Sequence, residues 1–201
     1  MGSNDISPPH VYPHTTAIAG HLLEVGGGLW TLCYILIARE TARSKSYGMP
    51  LLALPVNLAW ELVYSFYVVE ATLERIVFLS WLMINLFIVY GTVKHGKNEW
   101  AHAPWVSRHL GFLLGVMTLW WCLIHWSFAK WWLENDINLK EGKSWFGMKG
   151  VDTTELGFWS STAAQAPLSL GYLAMLISRQ PTGGLTWNIW YAYPYVHSTA
   201  H

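Results

Sequence analysis

The sequence predicts an all-α fold, a polytopic bundle of transmembrane helices. Of its 201 residues, 53% are hydrophobic and only 12% are charged, whereas about 25% of residues are charged in soluble domains. The apolar residues form runs long enough to cross a bilayer, for which a helix needs about 20 residues. The charged residues cluster between these runs. Together these observations predict five full spans and a partial sixth.

Each predicted span corresponds to one apolar run. The runs lie at 17–38, 50–69, 74–93, 110–133 and 157–177, and a shorter aromatic run extends from Thr186 to the end. Residues 1–16 contain three prolines but no basic segment and no small-residue cleavage site, so we interpret them as an uncleaved N-terminal tail. Residues 17–201 then form a single transmembrane domain.

The connections between the runs alternate in charge. Every second connection is basic, and its positive residues are Arg39, Arg43, Lys45, Lys94, Lys97, Arg108 and Arg179. The other connections are acidic or mixed, including the long segment 134–156. Because cytoplasmic loops carry an excess of Lys and Arg, this pattern predicts that the N-terminus lies outside the cell or in a lumen.

A faint internal repeat indicates a larger helical plan. Gly28–Arg39 resembles Leu168–Arg179, and a turn of small residues follows the arginine in both cases. Two three-helix units joined by a linker helix would explain the repeat: a first unit at 17–93, a linker at 110–133 and an incomplete second unit at 157–201. This plan has seven helices, so we expect the chain to stop part-way through the sixth.

Glu61 is the strongest candidate for a functional residue. It lies in the second apolar run, roughly 16 Å along a helix that begins near Pro50, and therefore near the middle of a hydrocarbon layer about 30 Å thick. Ionising a carboxyl group there costs roughly 3 kcal/mol or more, so we expect a neutral acid that can donate its proton. A structural hydrogen bond between helices and proton or ion translocation are the alternatives. Asn57 lies one turn earlier, and Trp60 and Tyr64 flank the acid.

Other polar and aromatic residues also lie at membrane depth. Asn57, Asn85, His125 and Gln165 either line one polar pocket or separately bridge pairs of helices. Many of the 14 tryptophans are interface anchors, but several lie inside the apolar runs. Ring faces stabilise a cation by about 1–2 kcal/mol each in a dry site without acting as nucleophiles. We therefore predict a cation-binding site lined by Trp30, Trp60, Trp120, Trp121 and Gln165, with core packing as the alternative for each residue.

Several classes of function receive no support from the sequence. The twelve basic and twelve acidic residues cancel, and no basic patch points to nucleic acid. The nine histidines are scattered, without an HExxH motif, so we expect no metal. There is no Walker A loop, GxGxxG or GxSxG motif, and we expect no cofactor.

One segment of the chain resembles a known family. Ser46–Tyr64, and within it the pattern Asn57-x-x-Trp60-Glu61-x-x-Tyr64, resembles the signature of the small membrane-bound terpene cyclases of fungal meroterpenoid and indole-diterpene pathways, the paxilline-type cyclases. The resemblance implies an enzyme of isomerase or lyase type in the endoplasmic reticulum membrane. Such an enzyme protonates an epoxide, or sometimes an olefin, of a farnesylated or geranylgeranylated substrate and guides the cation through ring closure without a metal.

The same resemblance assigns roles to residues of this chain. It implies that Glu61 is the proton donor, and we expect Asn57 and Tyr64 to orient it. The family's second acid, an aspartate in the C-terminal part, has no counterpart here, because Asp152 and Glu155 come too early. A truncated sequence, a variant with one acid and an inactive relative all remain open.

A transporter is the alternative from another class. The three-one-three plan with proline-broken helices, and Gln165-Ala-Pro167, also resemble small-solute transporters of the PQ-loop and sugar-efflux families. A transporter should carry matching polar pairs in both repeats. The second half instead offers Trp187-Asn188 without an intramembrane acid, so the cyclase interpretation is favoured.

Overall fold

A computed structural model describes residues 6–179 together with residues 186 and 189. The described part contains five α-helices: α1 (Pro13–Ser44), α2 (Ala53–Val63), α3 (Thr72–Glu99), α4 (Pro104–Glu134) and α5 (Thr153–Arg179). A π-helical turn, Tyr64–Val68, continues α2. Strands β1 (Ser144–Trp145) and β2 (Met148–Lys149) pair as a short antiparallel hairpin before α5. The helical prediction is confirmed, whereas the partial sixth run falls almost wholly outside the described residues.

Four of the five helices extend beyond the apolar runs that predicted them. α1 begins at Pro13, so the predicted tail at 1–16 is too long. Proline suits the first turn of a helix because its φ is already helical and its missing N–H would have no partner there. α4 likewise begins with a proline, Pro104. Apolar runs mark the part of a helix that suits hydrocarbon, and each helix continues into the polar residues on either side.

Within the part of the chain that the structure describes, three helices are long and apolar enough to cross a membrane: His14–Ser44, Thr72–Glu99 and Pro104–Glu134. The prediction of five full spans within a seven-helix plan is not confirmed. α2 has 11 residues and the π-helical turn adds 5, where a span needs about 20. α5 has 27 residues, but it carries Ser160, Ser161, Gln165 and Pro167 among its apolar residues.

α2 occupies the centre of the bundle. It packs against α3, α4 and α5, while α1 packs along α3. All residues of α2 except Leu62 are buried. Polar side chains on α2 therefore meet other helices instead of lipid.

Two clusters of buried apolar residues form the core. The first surrounds Trp30, Tyr34 and Met49 and joins α1 to α3 and α5. The second surrounds Trp60, Tyr64 and Phe78 and joins α2 to α3, α4 and α5. Trp81 packs against both clusters, so α3 connects the two halves of the core.

The π-helical turn closes the end of α2. The backbone N–H of Val69 donates to the carbonyl of Tyr64 at 3.0 Å, five residues back. Trp145 Nε1, from β1, donates to the carbonyl of Val68 at 2.9 Å. Single π-helical turns within α-helices frequently mark functional sites. The sequence predicted a regular helix at 50–69 and gave no sign of this turn.

Candidate active site

The Glu61 carboxyl group lies at the centre of a buried hydrogen-bond network and is 0% exposed. The Tyr34 hydroxyl donates to Oε1 at 2.6 Å, and Asn85 Nδ2 donates to Oε2 at 2.9 Å. Asn57 Nδ2 lies 3.3 Å from Oε1 and also donates to the Tyr34 hydroxyl. Side chains from α1, α2 and α3 therefore converge on one carboxyl group, and we call these four residues the Glu61 network.

Local structure explains only part of this arrangement. Asn57 and Glu61 are four residues apart on α2, so they lie on the same face of the helix. Tyr34 and Asn85 reach the carboxyl from α1 and α3, and both side chains are almost wholly buried. A buried tyrosine hydroxyl usually has a hydrogen-bond partner. The packing of α1 and α3 therefore positions two of the three donors.

Every hydrogen bond at the carboxyl is donated to it. A neutral Glu61 carries a proton of its own and needs an acceptor. Asn85 Oδ1 is buried and has no partner in the described structure. Amide oxygen and nitrogen exchange places on a half-turn of the side-chain amide, and their assignment depends on the hydrogen-bond network. With its amide reversed, Asn85 would accept a hydrogen bond from the Oε2–H group, so the network can accommodate both forms of the acid.

The neighbouring residues Trp60 and Tyr64 bond to α5 instead of to the acid. The Tyr64 hydroxyl pairs with Ser160 Oγ at 2.5 Å, and Trp60 Nε1 donates to the same oxygen at 2.9 Å. No hydrogen bond joins Tyr64 to Glu61 among the described contacts. In the structure, Tyr34 and Asn85 contact the acid together with Asn57, and the role of Tyr64 in orienting it stays a prediction.

Four aromatic rings, from α2, its π-helical turn and α3, contact one another in a row. The ring centroids of Trp60 and Tyr64 are 4.6 Å apart, and those of Trp60 and Phe78 are 5.2 Å apart. Phe78 in turn lies 5.1 Å from Trp81. These residues form the aromatic cluster. Trp60 belongs both to this cluster and to the sequence pattern around Glu61.

The other predicted lining residues lie in different surroundings. The Trp30 ring is 6% exposed and its centroid is 5.0 Å from that of Tyr34. Trp121 is partly buried, 6.0 Å from the ring of His125, and Gln165 is partly buried on α5. Trp120 is 63% exposed. The buried residues of α4 recur at helical spacing and form one face of the helix. Trp120 lies off that face, so the structure does not bring it to the Glu61 network.

Sequence reasoning missed two residues of this region. The sequence pattern predicts no role for Tyr34 or Ser160, although a tyrosine hydroxyl inside an apolar run is a signal of a buried hydrogen bond. The polar residues at membrane depth were predicted either to line one pocket or to bridge helices separately, and of these Asn57 and Asn85 meet at Glu61. His125 does not join them. Its side chain is 5% exposed, and its Nε2 atom has no hydrogen-bond partner in the described structure.

Asp152 and Glu155 form a separate charged group at the start of α5, before its apolar run. Asp152 Oδ1 accepts the backbone N–H groups of Thr154 and Glu155 and therefore caps α5. Burial acts to raise the pKa of Asp152, but the Glu155 N–H, Lys143 and Lys140 outweigh it and lower that pKa. A hydrogen bond from Lys140 likewise lowers the pKa of Glu155. Neither acid contacts Glu61, and no second carboxyl group does so among the described residues.

Comparison with known proteins identifies relatives over most of the chain. The profile of the Pyr4-like transmembrane terpene cyclases matches residues 3–193. The chain is 42% identical to terpene cyclase ascF of Acremonium egyptiacum over 91% of its own length and 65% of the relative's. It is 32% identical to Pyr4-family terpene cyclase mfmH of Annulohypoxylon moriforme, over 92% of the chain and 69% of the relative. It is 34% identical to terpene cyclase andB of Emericella variicolor, over 89% of the chain and 68% of the relative.

The chain thus spans about two thirds of the length of these relatives. No solved structure matches it. The relatives are cyclases, so the comparisons do not favour the small-solute transporter.

Proposed function

We propose that this chain, which belongs to the Pyr4-like transmembrane terpene cyclases, is an integral-membrane enzyme in which Glu61 protonates a prenylated substrate. One observation carries the proposal: among the described residues, a fully buried carboxyl group receives hydrogen bonds only from the neutral side chains Tyr34, Asn57 and Asn85. A cationic partner would hold the acid ionised. Neutral partners leave it able to carry and release a proton.

The reaction conserves mass. Glu61 transfers its proton to the oxygen of a terminal epoxide, a C–O bond breaks, and the carbocation is attacked in turn by the double bonds of the prenyl chain. Loss of a proton from the last cation completes an isomerisation. In the olefin variant, the proton of Glu61 forms a C–H bond instead. We propose a farnesyl or geranylgeranyl chain, whose repeated double bonds supply the nucleophiles.

The Glu61 network stabilises the acid both before and after it transfers its proton. Before transfer, the Oε2–H group of neutral Glu61 donates a hydrogen bond to the reversed Asn85 amide oxygen, while Tyr34 and Asn57 donate to Oε1. After transfer, Asn85 donates to Oε2 at 2.9 Å, as in the structure. Donors already positioned at the atoms where charge develops need no rearrangement of solvent. Because Glu61 is fully buried, substrate must separate the side chains that cover it before the proton can move.

The aromatic cluster and Trp30 stabilise the cation. Trp60 and Tyr64 lie closest in sequence to the acid, and their ring faces attract positive charge by about 1–2 kcal/mol each in a dry site. Trp121, Gln165 and Trp120 stay predicted lining residues. We also propose five spans within a seven-helix plan, the endoplasmic reticulum as location and a lumenal N-terminus.

Turnover in deuterated water tests the proposal and separates its two variants. Microsomes that contain the chain receive a prenylated substrate with a terminal epoxide, or the corresponding olefin, and products are identified by mass spectrometry. Epoxide opening places deuterium on a hydroxyl oxygen. That deuterium exchanges for hydrogen when the product is transferred to ordinary water, so the product keeps the substrate's mass. Olefin protonation adds one carbon-bound deuterium.

Glu61→Gln is the matched variant, because the amide keeps the size of the side chain but cannot donate an acidic proton. We expect no cyclised product from it at a normal level of inserted protein. Unchanged cyclisation would contradict the assignment of Glu61. Solute uptake into liposomes by the unmodified chain, without cyclisation, would favour a transporter instead.

A further inference from the structure

A groove separate from the Glu61 network lies between α1 and α3, near the end of α1. It encloses about 670 Å³, within the range of about 300–1,000 Å³ typical of small-molecule sites. Its walls include Ala38, Thr41 and Ala42 on α1 and Phe87 and Tyr90 on α3. The two helices approach closely at its floor, since a Cβ atom on Gly91 would lie 2.6 Å from Thr41 Cγ2.

The mouth of this groove is positively charged. Lys45 and Lys94 line it together with His95. The carboxylates at the same end of these helices are already paired: Glu40 binds Arg43 at 3.0 Å, and Glu99 binds Arg179 at 2.5 Å. Among the described residues, no carboxylate forms an ion pair with Lys45 or Lys94. The groove therefore offers two ammonium groups to an anion.

The backbone at Lys45 is unusual for a charged residue. Lys45 ends α1 with φ 53° and ψ 35°, in the left-handed region. Glycine is usually preferred at that position because it has no Cβ, and an L-residue there costs roughly 1–2 kcal/mol. Lys94 Nζ lies 5.4 Å above the ring of Tyr90, so the second ammonium group stays near the aromatic wall.

The rest of the groove is apolar and faces outward. Phe87 is 66% exposed and Tyr90 is 63% exposed. Ala38 and Ala42 lie across from them on α1. Exposed aromatic residues beside lysines are typical of the interface between hydrocarbon and lipid headgroups. The groove therefore combines a cationic mouth with an apolar channel that runs along two membrane-spanning helices.

We propose that this groove binds an anionic phospholipid of the bilayer, with its phosphate between Lys45 and Lys94 and an acyl chain along Ala38 and Phe87. Basic pockets between transmembrane helices are recognised binding sites for anionic headgroups. The bound lipid joins α1 to α3, the two helices that bring Tyr34 and Asn85 to Glu61. The site stands independently of the cyclase assignment, because no residue of the Glu61 network lines it.

Lipid titration of the full chain tests this site. The chain, purified in a neutral detergent, is titrated with phosphatidylglycerol or with phosphatidylcholine, and bound lipid is counted by native mass spectrometry. We expect clear preference for phosphatidylglycerol. Because each lysine contributes about fivefold to such binding, Lys45→Gln with Lys94→Gln should weaken it by about 25-fold. Lys97→Gln removes a charge from the same helix outside the groove and should change affinity less than about twofold.

A blocking variant separates a groove from general surface charge. Ala42→Trp keeps both lysines but fills the apolar channel, and we expect it to abolish the preference for phosphatidylglycerol. Equal affinity for the two lipids in the unmodified chain would overturn the proposal. So would equal losses from Lys97→Gln and Lys94→Gln, or undiminished binding by Ala42→Trp. None of these results depends on cyclisation.

Discussion

Glu61 and Asp152 show two opposite ways of burying a carboxyl group. Glu61 is 0% exposed and its hydrogen-bond donors are uncharged, whereas Asp152 is 4% exposed and lies 3.3 Å from Lys140 and 3.6 Å from Lys143. Lysine partners keep Asp152 an anion, and that anion caps a helix. Neutral partners leave Glu61 able to exist with or without its proton. Under the proposed function, the partners of each acid match its use, which is structural for Asp152 and chemical for Glu61.

The two acids also differ in how far apart in sequence their contacting residues lie. Asp152, Lys140 and Lys143 lie within one connecting segment, whose residues are close in sequence. The Glu61 network draws on three helices. A change in helix packing would consequently disturb Glu61 more than Asp152.

Converting each acid to its amide should separate the two sites most clearly, and the largest loss of cyclisation is expected at Glu61. Glu61→Gln should lower cyclisation by about 10²–10⁴-fold or more, because general acid catalysis contributes that much and no second acid contacts the site in the described structure. Asp152→Asn should leave turnover within about twofold, since it keeps the helix cap. Initial rates at equal amounts of inserted protein measure both. Equal losses from the two variants would break the comparison.

The next largest loss of turnover is expected from replacing the neutral hydrogen-bond donors around Glu61. Asn85→Leu removes both the donor and the proposed acceptor, so turnover should fall by about 10–100-fold, the size of a hydrogen bond to a charged group. Tyr34→Phe removes only a donor and should cost less. Single-turnover rates, with thermal unfolding as a check on folding, measure both effects. A native rate for Asn85→Leu would exclude Asn85 from the reaction.

Aromatic rings should affect which products form more than whether they form. Trp60→Leu and Tyr64→Leu remove a ring face, so partly cyclised or early-quenched products should appear, with rates lower by about tenfold. Tyr64→Phe is the control, because it keeps the ring and loses only the bond to Ser160. Chromatography of the product mixture distinguishes these cases. The native product alone, at native rate, from both leucine variants would make these rings packing residues.

The smallest effect concerns stability at Asp152. Asp152→Ala removes the cap of α5 and should lower the free energy of unfolding by about 1 kcal/mol. The pKa of Asp152 is lower in the folded chain than its usual value, so its contribution is present above about pH 4 and is lost as pH falls further. Unfolding of both proteins at pH 7 and below pH 4 measures the difference. A stability gap that persists in acid would contradict the charged role of Asp152.

The sequence alone determined the helices and the acid. Hydropathy is a local property of the sequence, and each of the five apolar runs corresponds to a helix in the structure. Helical spacing is also local, and it correctly places Asn57 on the same face as Glu61. The helix ends were less accurate, because α1 continues outside its apolar run at both ends and α2 finishes in a π-helical turn. The resemblance around Glu61 also pointed to the family that the comparisons identify.

Only the tertiary structure decided which side chains meet that acid. Tyr34 and Asn85 are 27 and 24 residues from Glu61 in sequence, and Ser160 is 96 residues from Tyr64. Their meeting depends on the rotation and depth of separate helices. An apolar run shows that a helix enters the membrane, but when most of its faces are apolar it does not show which face turns inward. For that reason Trp120 and Trp121 looked equivalent in the sequence, and packing of α4 exposes one and partly buries the other.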